Sequence, residues 1–170
     1  VSIEPGNDYG CLFSQPNPTW YYFEIGVAGT INMELYAPSD IDFIIWGPFN
    51  DLTEAISYCG QMGVSPNAPE VDCSYSGTND EFPVIPGAQV GDVYVMLITN
   101  YASVVQDVTL TALGTSTGAT DCNIITPDPC VSNPGTYTVK KNGSLTTAPI
   151  YLCEGDSFQA LSDGNYILPN

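Results

Sequence analysis

The feature that most constrains this chain is a succession of short segments with a two-residue period, each closed by turn residues. Residues 30–36 (Thr-Ile-Asn-Met-Glu-Leu-Tyr) alternate cleanly, with Ile31, Met33 and Leu35 on one side. Residues 19–25 are aromatic and β-branched, and residues 41–46, 92–99 and 106–113 have the same strand character. Runs this short, separated by Gly, Pro, Asn and Asp, predict a β-sandwich or barrel, not a βαβ fold. Residues 26–29 read as a hairpin turn. One short helix is predicted over Asp51–Tyr58, with Asn50 as its N-cap and Glu54 in its first turn. The stretch 60–69 reads as loop, and Pro83, Pro86 and Gly87 mark a turn.

The composition shifts after this unit. Residues 114–120 are small and polar, and Pro127, Pro129 and Pro134 follow Cys122. The expected organisation is a lead-in over 1–10, a β-sandwich module over 11–122, a linker over 123–134 and a partial second β module over 135–170. In that last part Asn142-Gly143 follows a strand signal over 137–141, the pattern of a two-residue hairpin. The same Asn142-Gly143-Ser144 matches a glycosylation sequon, which the hairpin explains as well. About 40 residues hold too little apolar surface for a core without staples. Val1 is neither a start Met nor part of a leader pattern, so the chain reads as an excised or processed piece.

Six cysteines supply the staples: Cys11, Cys59, Cys73, Cys122, Cys130 and Cys153. None forms a C-x-x-C pair and the chain has no His, so a disulfide framework fits better than zinc. An oxidising, secreted or cell-surface setting follows. The expected pairs are Cys59–Cys73, which flank one loop, Cys11–Cys122, which would clamp the module's ends, and Cys130–Cys153.

Charge excludes several functions. The chain has 19 Asp and Glu but only Lys140 and Lys141 as cations, for a net charge of −17. Nucleic-acid binding needs clustered cations against phosphates, and an anionic membrane surface needs them too. No apolar run reaches the roughly 20 residues of a membrane span, so membrane insertion is not expected. Without His there is no Ser-His-Asp or Cys-His pair, and no enzymatic activity is expected.

Two constellations remain as candidate sites. Asp40 and Asp42, at i and i+2, put two carboxylates on one strand face, with Ile41, Phe43 and Ile45 facing the core. Such a pair suits Ca²⁺, a hard cation that takes oxygen ligands, or else holds loop amides. Asp72, Asn79, Asp80 and Glu81 form a second oxygen-rich group, or an acidic loop in water. Trp20 and Tyr22 share one face of their strand, with Tyr21 and Phe23 on the other. One set is core, and the other offers a platform for sugar rings or packs beneath the 47–58 insertion.

The order of these blocks resembles a known module type. It runs Gly10-Cys11-Leu12, then 17–23 (Asn-Pro-Thr-Trp-Tyr-Tyr-Phe), 29–35, 40–49 (Asp-Ile-Asp-Phe-Ile-Ile-Trp-Gly-Pro-Phe), 71–75, 91–100 and Asp121-Cys122. This series resembles a module of very large surface proteins of Bacteroidota, including gliding-motility adhesins exported by the type 9 secretion system. More distantly it resembles the bacterial pre-peptidase C-terminal domain, a jelly-roll-like β-sandwich. Asp156-Ser157-Phe158 resembles an O-glycosylation signal of such bacteria. The resemblance implies a non-catalytic module of a giant secreted adhesin, acting in surface display and attachment or gliding. Its partners would be neighbouring modules of the same chain and an extracellular polysaccharide or surface. The other reading is a carbohydrate- or protein-binding appendage of a secreted hydrolase. Repeated copies in the flanking sequence would favour the first, and an adjoining catalytic domain the second.

Overall fold

A computed structural model describes residues 3–121 and the strands Tyr137–Lys141, Ser144–Thr146 and Ser157–Ser162. The fold is an all-β sandwich of two antiparallel sheets with one short helix. In chain order the elements are β1 (Thr19–Val27), β2 (Gly29–Tyr36), β3 (Asp42–Phe49), α1 (Leu52–Ser57), β4 (Glu70–Ser74), β5 (Asp80–Glu81), β6 (Val84–Ala88), β7 (Val93–Thr99), β8 (Asp107–Ala112), β9 (Ala119–Asp121), β10 (Tyr137–Lys141), β11 (Ser144–Thr146) and β12 (Ser157–Ser162). The first sheet has the order β4-β3-β7-β1-β9. The second runs β11-β10-β12-β8-β2-β5, with β6 also paired to β2.

The alternation read from the sequence sets the core between the sheets. Tyr21, Phe23 and Ile25 of β1, Phe43 and Ile45 of β3, and Tyr94, Met96 and Ile98 of β7 meet Ile31, Met33 and Leu35 of β2 and Ile85 of β6. Ile41 joins them, fully buried at the entry to β3.

The first sheet is buried on its other face as well. Tyr22, Ile44, Trp46, Val93, Val95 and Leu97 lie beneath Leu12 of the segment before β1, Phe49 at the end of β3, and Ala55, Met62 and Ala68 of the stretch from α1 to β4. Every residue of β7 is therefore buried, although antiparallel sheets commonly leave one face to water. A strand covered on both faces reads as a continuous apolar run, which is what Val-Tyr-Val-Met-Leu-Ile-Thr is.

Three local expectations change. Residues 26–29 make no hairpin, because β1 pairs with β7 and β9 while β2 pairs with β5, β6 and β8. The segment is a corner between sheets. Gly29 has φ +147°, and a Cβ on it would stand 2.6 Å from the Gly118 nitrogen. The N-cap of α1 is Asp51, not Asn50. Asp51 Oδ1 accepts the Glu54 N–H at 2.8 Å while Glu54 Oε2 accepts the Asn50 N–H at 2.6 Å, a capping box moved one residue along. The expected turn at Pro83–Gly87 contains β6, which among the described strands pairs with β2 alone, so Pro86 lies on an edge where a missing N–H is tolerated.

Beyond residue 121, β10 and β11 pair antiparallel, with Lys141 opposite Ser144. β12 pairs with β10 and also with β8, Phe158 opposite Val108. These strands thus extend the second sheet past β8. The expected linker over 123–134 and the pair Cys130–Cys153 lie outside the described residues. No helix among the described residues is long and apolar enough to cross a membrane.

Candidate functional site

The segment before β1 and the edge strand β4 are joined by a disulfide between Cys11 and Cys73, with Cα atoms 6.0 Å apart. This corrects two expected pairs, Cys59–Cys73 and Cys11–Cys122. The reason lies in the sheet. β4 pairs with β3, placing Cys73 opposite Ile44 on the outer face, where the lead-in crosses. The Cys11 N–H donates to Cys73 Sγ at 3.2 Å. Closeness along the chain favoured Cys59, but strand register brought Cys11. Cys59 is disulfide-bonded too, though not to Cys73.

Asp40 and Asp42 come together at the end of the sandwich where β3 begins. Asp42 is 2% exposed. Its Oδ1 accepts the Ser76 N–H at 3.0 Å, and its Oδ2 accepts the Thr99 hydroxyl at 3.4 Å. Burial pushes the Asp42 carboxyl up to about 6, and the Asp40 charge adds to that push. The Ser76 and Thr99 hydrogen bonds oppose it, and Glu81 adds further repulsion. Asp40 Oδ1 is buried and accepts no hydrogen bond from the described residues. A buried carboxylate beside a second like charge is unfavourable unless a proton or a cation joins them.

The second oxygen group is partly absorbed by structure. Asp72 accepts the Cys73 N–H at 2.9 Å with Oδ1 and the Val84 N–H at 2.7 Å with Oδ2, tying β4 to β6. Ala37 N–H donates to the Asn79 carbonyl at 3.1 Å. The Thr78 hydroxyl donates to the Asp80 carbonyl at 3.0 Å. Glu81 is buried opposite Leu35, and burial raises its carboxyl above the usual range against hydrogen bonds from Ser74 and Thr78. Among the described residues, no group of three or more His, Cys, Asp or Glu is placed to hold a metal ion.

Trp20 and Tyr22 do not form an open platform. Tyr22 is buried, and Trp20 is half-buried, stacked on Trp46 with centroids 5.6 Å apart and planes at 21°. Tyr9 closes on both indoles edge to face, at 6.3 Å from Trp20 and 5.9 Å from Trp46. Both faces of β1 are thus core, because the lead-in and the α1 insertion cover the second one.

The exposed rings are elsewhere, Phe13 and Tyr101 on either side of the half-buried Tyr75. Phe13, Tyr75 and Tyr101 form an edge-to-face chain, with 5.7 Å between centroids at each step. The Ser14 and Tyr75 hydroxyls share a hydrogen bond of 3.0 Å. The Tyr101 hydroxyl lies above its ordinary range, first through its hydrogen bond and charge coupling to Tyr75, and also through the Asp40 and Asp42 charges. The aromatic chain and the acidic pair therefore share one end of the sandwich. Sequence reading missed these rings because each lies in a loop or at a strand end with no period to flag it. No protein-family model, curated protein or solved structure matches this chain.

Proposed function

We propose that this chain is a non-catalytic binding module of a large secreted surface protein, acting in display and attachment or gliding, with neighbouring modules and an extracellular polysaccharide or surface as its contacts. The observation that carries the reading is the meeting of exposed rings and carboxylates at one loop end of a disulfide-braced sandwich. A rigid scaffold presenting loops is the usual arrangement for binding. The block order of residues 10–122 and its resemblance to adhesin modules support the same reading, as does the lack of any His for acid–base or nucleophilic work. Asp40 and Asp42 are the residues that would take Ca²⁺.

The test is attachment. Microspheres carrying the folded chain should adhere to polysaccharide-coated surfaces under flow, and spheres carrying the reduced, unfolded chain should not. The soluble chain should turn over peptide, ester and glycan substrates only at background rates. Turnover abolished by Asp42→Asn would identify an enzyme and end this reading.

A further inference from the structure

Two residues beyond each half-cystine stands a ring, Phe13 after Cys11 and Tyr75 after Cys73. The crosslink thus joins the two segments that carry these rings. Phe13 is 92% exposed and Tyr101 is 47% exposed. A single exposed apolar side chain needs no explanation, but three rings in contact make a patch. The backbone beneath is tied down. The Asn100 N–H donates to the Pro16 carbonyl at 3.1 Å, and Asn17 Nδ2 donates to the Asn100 carbonyl at 3.2 Å and to the Ser103 hydroxyl at 2.9 Å. Rings already held in place lose little freedom when a ligand arrives.

The charge around the patch selects its ligand. The Ala102 N–H, next to Tyr101, donates to the Asp40 carbonyl at 3.3 Å, and the Ser76 N–H, next to Tyr75, donates to Asp42. Residues 3–121 contain no Lys, Arg or His, so no side-chain cation of this stretch can neutralise those carboxylates. An anionic ligand would be repelled, and a neutral one would use the rings alone. A cation gains from both, because ring faces carry partial negative charge and the carboxylate field adds to it.

We propose that Phe13, Tyr75 and Tyr101 form a docking surface for an Arg- or Lys-bearing peptide segment of a partner protein, its cation held over the rings and within the field of the half-buried Asp40 and the buried Asp42. This deepens the binding-module reading and rests on it. Arg suits the surface better than Lys, since a planar guanidinium stacks on rings and is less strongly hydrated.

The experiment titrates the full chain with a capped Gly-Arg-Gly-Arg-Gly peptide by calorimetry, at low and at physiological salt. Its Glu analogue and the neutral sugar cellohexaose serve as parallel ligands. The Arg peptide should bind saturably and the Glu peptide should not. Phe13→Leu with Tyr101→Leu keeps apolar bulk but removes the ring faces, and should weaken the Arg peptide about fivefold or more. Both side chains are exposed, so an unchanged melting temperature confirms that this variant folds. Equal affinity in the wild type and the double variant would mean diffuse attraction to an acidic protein, and would overturn the proposal. Cellohexaose binding that the double variant abolishes, with no Arg-peptide binding, would also overturn it while leaving the binding-module reading standing. That wider reading is tested separately, by adhesion under flow and by turnover.

Discussion

The Asp42 carboxylate accepts the backbone N–H of Ser76 at 3.0 Å, joining the start of β3 to the loop after β4 across 34 positions of sequence. This bond holds a buried carboxylate in place beside the Asp40 charge, so its energetics depend on protonation. In the unfolded chain Asp42 titrates near 3.8, and in the folded one near 6. Between these values the native state binds a proton that the unfolded state releases, so stability falls as pH rises through that window. We expect the melting temperature to be higher near pH 5 than near pH 7.5. Between these two pH values Asp42 contributes a difference on the order of 1 kcal/mol, to which the raised carboxyls of Glu70 and Glu81 add in the same direction. Asp42→Asn should raise stability at pH 7.5 and flatten the pH profile. A wild type that melts at a lower temperature at pH 5 than at pH 7.5 would refute this assignment.

The crosslink makes a second prediction. Cys11 and Cys73 are 62 positions apart. Closing a loop of that length removes unfolded-state entropy equivalent to about 4 kcal/mol. Cys11→Ser with Cys73→Ser should therefore lower unfolding free energy by about 2–4 kcal/mol in urea. Non-reducing peptide mapping should recover the Cys11 and Cys73 peptides joined. A Cys59–Cys73 peptide would contradict it.

Trp46 is fully buried, and its Nε1–H finds no acceptor among the described residues. Its contribution is therefore packing against Trp20, Tyr9 and the lead-in, not hydrogen bonding. Trp46→Ala should cost about 3–5 kcal/mol. Trp46→Phe keeps much of the volume and removes an unsatisfied donor, so it should cost far less, about 1 kcal/mol. Equal losses in the two variants, measured by denaturant unfolding, would show that the indole N–H does carry stability.

Calcium provides a fourth test. A divalent cation would relieve the repulsion between Asp40 and Asp42, and binding to the folded state alone raises stability by about 2.7 kcal/mol at a hundredfold excess over Kd. The melting temperature should rise in millimolar Ca²⁺ beyond an ionic-strength control and fall back with chelator. Asp40→Asn with Asp42→Asn should erase the rise. Identical melting in Ca²⁺ and in chelator would leave Asp42 as the holder of the Ser76 amide and nothing more.

Most strands were legible because a strand's period is local. Ile31, Met33 and Leu35 announce the inward face of β2 from sequence alone, and Ile41, Phe43 and Ile45 announce theirs. β5, β9 and most of β4 were not legible, since short edge strands take their hydrogen bonds from a neighbour and need little pattern of their own. The sequence by itself determined the all-β class, the short helix and the anionic charge. Only the tertiary structure decided which cysteine meets Cys73, that residues 26–29 turn between sheets, that Trp20 and Tyr22 are covered, and that Phe13, Tyr75 and Tyr101 meet beside Asp40. The physical reason is reach. Periodicity and charge act over a few residues and are written in order along the chain. Sheet order and the path of the lead-in are settled by contacts tens of residues apart, where a different pairing leaves the local pattern unchanged and alters every neighbour.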